Sequence, residues 1–148
     1  MVNAVRHNKN GKVRKTCLLV DDDEDDTEIF AIAMGEADSS IDCVFASDAA
    51  AALSLLEDKS FVPDYIFLDL NMPQMSGKEC LVEIRKRQHL SAVPVIIFST
   101  SASQRDMDDT HALGASSFIT KPPLIATLTE KLLEVVEGNP AEKRQGKY

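Results

Sequence analysis

Five short apolar runs recur along the chain, at residues 16–20, 41–46, 64–69, 94–99 and 116–119, and helical spacing of apolar positions fills the gaps between them. The first, third and fourth runs are almost continuously apolar, as strands covered on both faces require. In the second, Ile41, Cys43 and Phe45 alternate with Asp42, Val44 and Ala46, the pattern of an edge strand. The last run is short and opens with two serines, which predicts the other edge. The 3.6-residue period predicts helices over about 24–36, 48–58, 76–88, 103–113 and 123–137. Asp48 is placed to cap the second helix, and Gly114 to end the fourth. In the fifth, Leu124, Leu128, Leu132 and Val135 form one stripe between Pro123 and a stop at Gly138. Strands alternating with helices in this way predict an α/β fold with a doubly wound parallel sheet. A strand order that reverses beside the first strand would bring the C-terminal ends of the first and third strands together, where such folds bind ligands.

Composition narrows the function. With 148 residues and 16.2 kDa the chain fits one domain, and 44% hydrophobic with 27% charged residues predicts a packed core. A net charge of -8 and a pI of about 4.8 argue against a body that neutralises nucleic-acid phosphates. No apolar run has the length of a membrane span and no secretory leader is recognisable, so no membrane partner and a cytoplasmic address are expected. Charge divides the chain into a basic arm (1–15), an acidic body (16–138) and a polar tail (139–148), with no output domain after Gly138. The two ends read as solvated tails, or as an arm that docks on an acidic surface, its own included. Cys17, Cys43 and Cys80 lie far apart in sequence without a Cys-x-x-Cys pair, and read as small core residues in a reducing compartment.

The candidate chemistry lies at the strand ends. The first strand runs into Asp21-Asp22, the third into Asp69, the fourth into Ser99-Thr100 and the fifth into Lys121-Pro122. Three carboxylates on one rim repel unless a proton or a cation joins them. Hard oxygen ligands at an open rim suit Mg²⁺, which keeps waters and shares a phosphate. Lys121 could pair with Asp69 at rest and with a phosphoryl group later, and Ser99 could donate to that group. These parts fit phosphoryl transfer to a carboxylate, in which positioning and charge neutralisation do most of the work. A calcium loop of the EF-hand type fails here, because Asp26 stands at its glycine position and Ile32 at its bidentate glutamate. Asp23, Glu24, Asp25, Asp26 and Glu28 read instead as a solvated acidic helix start that complements the helix dipole.

Taken together, Leu18-Leu19-Val20-Asp21-Asp22, Asp69-Leu70-Asn71-Met72-Pro73-Gln74-Met75-Ser76-Gly77, Pro94-Val95-Ile96-Ile97-Phe98-Ser99 and Phe118-Ile119-Thr120-Lys121-Pro122 resemble the receiver domain of two-component response regulators, over about residues 16–138. The resemblance implies a flavodoxin-like (βα)5 sheet of order 2-1-3-4-5. It implies that Asp69 is the phosphoacceptor, supplied by a histidine kinase or a histidine phosphotransfer protein. Asp22 would be the principal metal ligand, Asp21 a ligand largely through water, and the Asn71 backbone carbonyl a third, holding Mg²⁺ or, in its place, Mn²⁺. Ser99 stands at the switch hydroxyl, Phe118 at the aromatic switch and Lys121 at the site lysine, its bond to Pro122 expected cis. By itself Phe118 reads as a core residue. Met72 and Met75 read as packing residues of the loop.

The resulting expectation is a stand-alone phosphoacceptor switch rather than an enzyme in the usual sense. Its output would be protein contact or onward phosphotransfer. A symmetric dimer through the face of the fourth helix, fifth strand and fifth helix is one form of that contact. Asn71 and Ser101, two positions after Asp69 and Ser99, are neither acidic nor long, which implies modest self-dephosphorylation. An aspartyl-phosphate phosphatase of the haloacid-dehalogenase kind shares this chemistry but needs an acid two positions after the nucleophile, where this chain has Asn71. A receiver-like scaffold that is never phosphorylated is the third alternative.

Overall fold

The computed structural model describes residues 14–101 and 103–138, so the tail and all of the arm but Arg14 and Lys15 lie outside the described residues. The elements are β1 (Lys15–Val20), α1 (Glu24–Ala37), β2 (Ile41–Ala46), α2 (Ala49–Glu57), β3 (Tyr65–Leu68), α3 (Gly77–Arg85), β4 (Val95–Ser99), α4 (Gln104–Ala112), β5 (Ser117–Thr120) and α5 (Ile125–Glu137), with a 3-10 turn at Gln88–Leu90. All neighbouring strands pair in parallel in the order β2-β1-β3-β4-β5, so the expected doubly wound sheet, with β2 and β5 at its edges, is the one found.

The continuous apolar strands follow from burial on both faces. Leu18, Val20, Ile66, Leu68, Val95 and Ile97 point to the side covered by α2 and α3. Cys17, Leu19, Phe67, Ile96 and Phe98 point to the side covered by α1 and α5. On that second side Phe30 of α1 sits edge-on to Phe67 (centroids 4.9 Å apart) and to Phe98 (5.6 Å), the geometry aromatic quadrupoles favour. Met72 and Met75 pack against the first core, as expected of loop packing residues.

Caps fix where the helices begin. Asp23 accepts from the Asp26 amide at 3.0 Å and opens α1, and Asp48 accepts from the Ala51 amide at 2.7 Å and opens α2. At α3, the Ser76 hydroxyl accepts from the Glu79 amide while the Glu79 carboxylate accepts from the Ser76 amide, a capping box. Gly114 and Gly138 take the left-handed conformations (φ 105° and 66°) that follow α4 and close α5.

Three expectations need correction. Helix α3 ends at Arg85 instead of running to 88, because the apolar stripe stops at Ile84 and the Arg85 guanidinium turns the chain back. Its nitrogens donate to the Leu90, Val93 and Gly114 carbonyls at 3.0, 2.9 and 3.0 Å, which folds Leu90 into the core. Leu124 is not part of the α5 stripe: it precedes the first helical turn and is 64% exposed, whereas Leu128 and Leu132 are buried. Not all three cysteines are core residues: Cys43 is only partly buried on the edge strand β2, where it is the register partner of Cys17 on β1, because a parallel pairing places distant strand centres side by side.

Candidate functional site

The sheet ladder itself brings the acids together. Beyond the last residues of the strands, the Asp21 amide donates to the Ala46 carbonyl and the Asp69 amide to the Val20 carbonyl, both at 3.0 Å. Asp69 is thereby held next to the Asp21-Asp22 turn. Carboxylate oxygens of Asp21, Asp22 and Asp69 lie within 4.8 Å of one another, with Asp22 exposed and the other two buried. An open cleft lined by Asp21, Asp22, Glu24, Phe45 and Ser47 adjoins them.

The nearby dipoles are already committed. Asp21 Oδ1 accepts from the Asp23 amide at 2.9 Å, and Asp69 Oδ1 accepts from the Asn71 amide at 3.3 Å. Asn71 is exposed at the rim. Behind Asp69, an added Cβ at Gly77 would lie 2.2 Å from the Asp69 carbonyl oxygen and 2.6 Å from the Leu70 Cα. No side chain fits at Gly77 without moving the backbone that carries Asp69. The Gly77 amide also donates to the Leu70 carbonyl at 2.9 Å, which fastens the start of α3 to the loop. Gln74 closes that loop at φ 68°, a left-handed conformation seldom taken by a residue with a Cβ.

Lys121 enters from β5. Its amide donates to the Ser99 carbonyl at 2.8 Å, and its ammonium lies 5.2 Å from the Phe98 ring centroid. Nζ reaches Asp26 Oδ2 at 2.7 Å, Asp21 Oδ2 at 2.9 Å and Asp69 Oδ2 at 3.4 Å. The pairing with Asp69 expected from the sequence is present but is the longest of the three. Burial alone would lower the lysine pKa, yet the hydrogen bonds it donates to Asp26 and Asp21 and the charge of Asp69 hold it raised. Burial pushes the Asp21 carboxyl up, although the Asp23 amide and Lys121 oppose that shift. The Lys121–Pro122 bond, expected cis, is trans, and among the described residues every peptide bond is trans. Trans is the lower-energy form by about 0.5–1 kcal/mol, and the long lysine stem reaches the acids without the other isomer.

Ser99 is fully buried, and its hydroxyl oxygen accepts from the Ser101 amide at 3.3 Å. Phe118 is half-buried and packs against the core on the α2–α3 side. The Ser101 hydroxyl donates to Asp106, which also pairs with Lys78 at 2.7 Å.

Sequence reasoning missed Asp26. It is the third residue of α1, on the face of the turn that Asp23 caps, and that turn abuts the end of β1. Acids at the start of a helix ordinarily face water, so only the reach of Lys121 across the sheet reveals the role of this one.

A family model described as the response regulator receiver domain matches residues 17–133. The chain belongs to that family. It is 29% identical to response regulator Rcp1 of Synechocystis over 112 residues, 72% of this chain and 76% of that protein. It is 34% identical to chemotaxis protein CheY-3 of Vibrio cholerae over 92 residues, 62% of this chain and 69% of that one. Among solved structures, the phosphorylated cyanobacterial phytochrome response regulator RcpA matches with TM-score 0.76 and 28% identity, covering 84% of this chain and 92% of its own. The Mn²⁺-bound form of Rcp1 matches with TM-score 0.72 and 26% identity, covering 82% and 91%. Receiver domains of this kind are signalling switches and not enzymes in the usual sense. No helix among the described residues is long and apolar enough to cross a membrane.

Proposed function

We propose that this receiver accepts a phosphoryl group on Asp69 from a phosphohistidine of a histidine kinase or phosphotransfer protein. It then signals as a stand-alone switch in the cytoplasm, by protein contact or by onward transfer. The observation that carries the reading is the convergence of three carboxylates and one lysine, whose backbone amide is bonded to the carbonyl of the buried Ser99. Coverage of 76% of Rcp1 and 69% of CheY-3 supports reading this chain as a regulator of their kind.

The donor set fits a divalent cation. Carboxylate oxygens this close carry more negative charge than Lys121 offsets, and all of them are hard ligands. Asp22, Asp21, Asp69 and the Asn71 backbone carbonyl would hold Mg²⁺, or Mn²⁺ in its place, with Asp22 the most accessible. When bound, the cation offsets the charge that a phosphoryl group brings to this rim.

The rest falls to the residues of the chain. An Asp69 carboxylate oxygen attacks phosphorus, the P–N bond to the donor histidine breaks, and its electron pair stays on the imidazole. The P–O bond forms at a carboxylate fixed by the Asn71 amide and, behind it, by the close seat of Gly77. Lys121 would exchange its carboxylate partners for a phosphoryl oxygen. Ser99 accepts from Ser101 through its oxygen, so its O–H proton can be donated to the same group. The movement of Ser99 would then be read at Phe118, at the face formed by α4, β5 and α5, where a second copy or another protein would dock. Ser101 has its hydroxyl engaged by Asp106, which favours modest self-dephosphorylation because that group is not available to position water.

Incubation with acetyl phosphate or phosphoramidate, followed by intact-mass measurement, tests the reading. One phosphoryl group should appear when Mg²⁺ is present and be absent in excess EDTA. Asp69→Asn should remove the gain. Equal labelling of that variant, or labelling in EDTA, overturns the assignment.

A further inference from the structure

The most unusual pair of reactive side chains lies outside the phosphorylation site. Cys17 and Cys43 occupy matching register positions on β1 and β2, and their sulfurs are 3.5 Å apart. Neighbouring strands run about 4.8 Å apart, within the Cα separation of about 4.4–6.8 Å that a disulfide spans. Both side chains lie on the side of the sheet covered by α1 and α5. We propose that Cys17 and Cys43 are a reversible oxidation site, which a hydroperoxide converts to a disulfide joining β1 to β2.

The two thiols are not equivalent. Cys17 is fully buried in a central strand, and Cys43 is only partly buried in an edge strand. The Cys17 S–H donates to the Cys43 sulfur. That bond favours the Cys43 thiolate and lowers its pKa, while the same bond and burial raise that of Cys17. Cys43 is thus the sulfur that meets the oxidant, and Cys17 the one that waits behind it.

The chemistry balances with one equivalent of hydroperoxide. The Cys43 thiolate attacks the terminal peroxide oxygen, the O–O bond breaks, and hydroxide (or alkoxide) leaves with the electron pair, giving a sulfenic acid. The Cys17 sulfur then attacks the Cys43 sulfur, the S–O bond breaks and water departs with the Cys17 proton. Two thiols are oxidised, and the peroxide is reduced to two molecules of water, or of water and an alcohol. Closing the bond needs side-chain rotation in a packed core. A bond made under such constraint is the readily reduced kind, which makes the modification reversible by a dithiol.

The full chain, folded and free of disulfide, would be treated with hydrogen peroxide, quenched and measured by intact mass and peptide mapping. The expected product has lost two hydrogen atoms, carries a Cys17–Cys43 link, leaves Cys80 alkylatable and returns to the starting mass with dithiothreitol. Cys17→Ser should instead gain oxygen at Cys43, and Cys43→Ser should suppress oxidation of Cys17. Overturning results are oxygen addition to Cys43 in the unaltered chain without a link, a disulfide between two copies, or no reaction at conditions that oxidise a free surface thiol.

Discussion

Asp26 changes what Lys121 must do. In the resting arrangement its carboxylate is the nearest of the three to Nζ. An incoming phosphoryl group would have to win the lysine from Asp26 and Asp21, not simply from Asp69. Asp26→Asn keeps a hydrogen-bond acceptor but removes a charge, so Lys121 should turn further toward Asp69. The expected outcome is faster phosphoryl uptake from acetyl phosphate, by roughly two- to tenfold, which corresponds to weakening one partly buried ion pair by about 1 kcal/mol. Unchanged or slower uptake, measured by single-turnover labelling at saturating Mg²⁺, would assign Asp26 a merely structural role. None of this was legible in the sequence. Asp21, Asp22, Asp69, Ser99 and Lys121 were, because each lies at or just beyond the C-terminal end of a strand. Asp26 sits on a helix, and its partnership depends on a side-chain path 95 residues away in sequence. The Cys17–Cys43 pairing was hidden for a related reason, since parallel register is set by crossovers and leaves no local mark.

Elements α3 and α4 are joined by ion pairs. Lys78 on α3 pairs with Asp106 at 2.7 Å and with Asp109 at 3.0 Å, both on α4. The Lys78 bond, and then the Ser101 hydroxyl, hold the Asp106 carboxyl down at about 2. A depressed carboxylate stabilises the fold above its unfolded pKa of about 3.9, and that contribution fades as pH falls toward the folded value. Asp106→Asn should therefore be less stable than the parent at pH 6, with the difference shrinking as pH drops from about 4 to about 2. Urea unfolding at several pH values checks this, and a difference independent of pH would reject the ion-pair account. Periodicity located both helices to within a few residues. It could not find the early end of α3, because the Arg85 contacts that cause it are with carbonyls on segments well beyond the helix.

At the scale of the whole molecule, the two covered faces of the sheet were readable from the apolar runs, since strands of a parallel sheet between helix layers are buried on both sides, whereas the strand order was implied by the resemblance to receiver domains. The proposed output face was less so. Its helices carry Arg105, Asp108 and Lys131, charges of both signs that a second copy could match reciprocally, while Asp106 and Asp109 of α4 are paired with Lys78 of α3. If the phosphorylated form dimerises there, association should weaken as salt rises, because rim charges are screened beyond about 8 Å at physiological ionic strength. Sedimentation with and without a phosphoryl analogue, at low and high salt, reads this directly. A monomer under all four conditions removes the dimer and leaves a different protein as the reader.

The absence of clearance at Gly77 has a mechanical meaning. A joint with slack absorbs displacement, whereas one in hard contact passes it on. With the Asp69 carbonyl oxygen 2.2 Å from where a Cβ would stand, and the Gly77 amide bonded to the Leu70 carbonyl, the loop after Asp69 and the first turn of α3 are closely coupled. That turn carries Lys78, whose other end holds α4. Strain imposed on the backbone of Asp69 therefore has a short route to α4, through the first turn of α3 and the Lys78 ion pairs, that bypasses both Ser99 and Phe118.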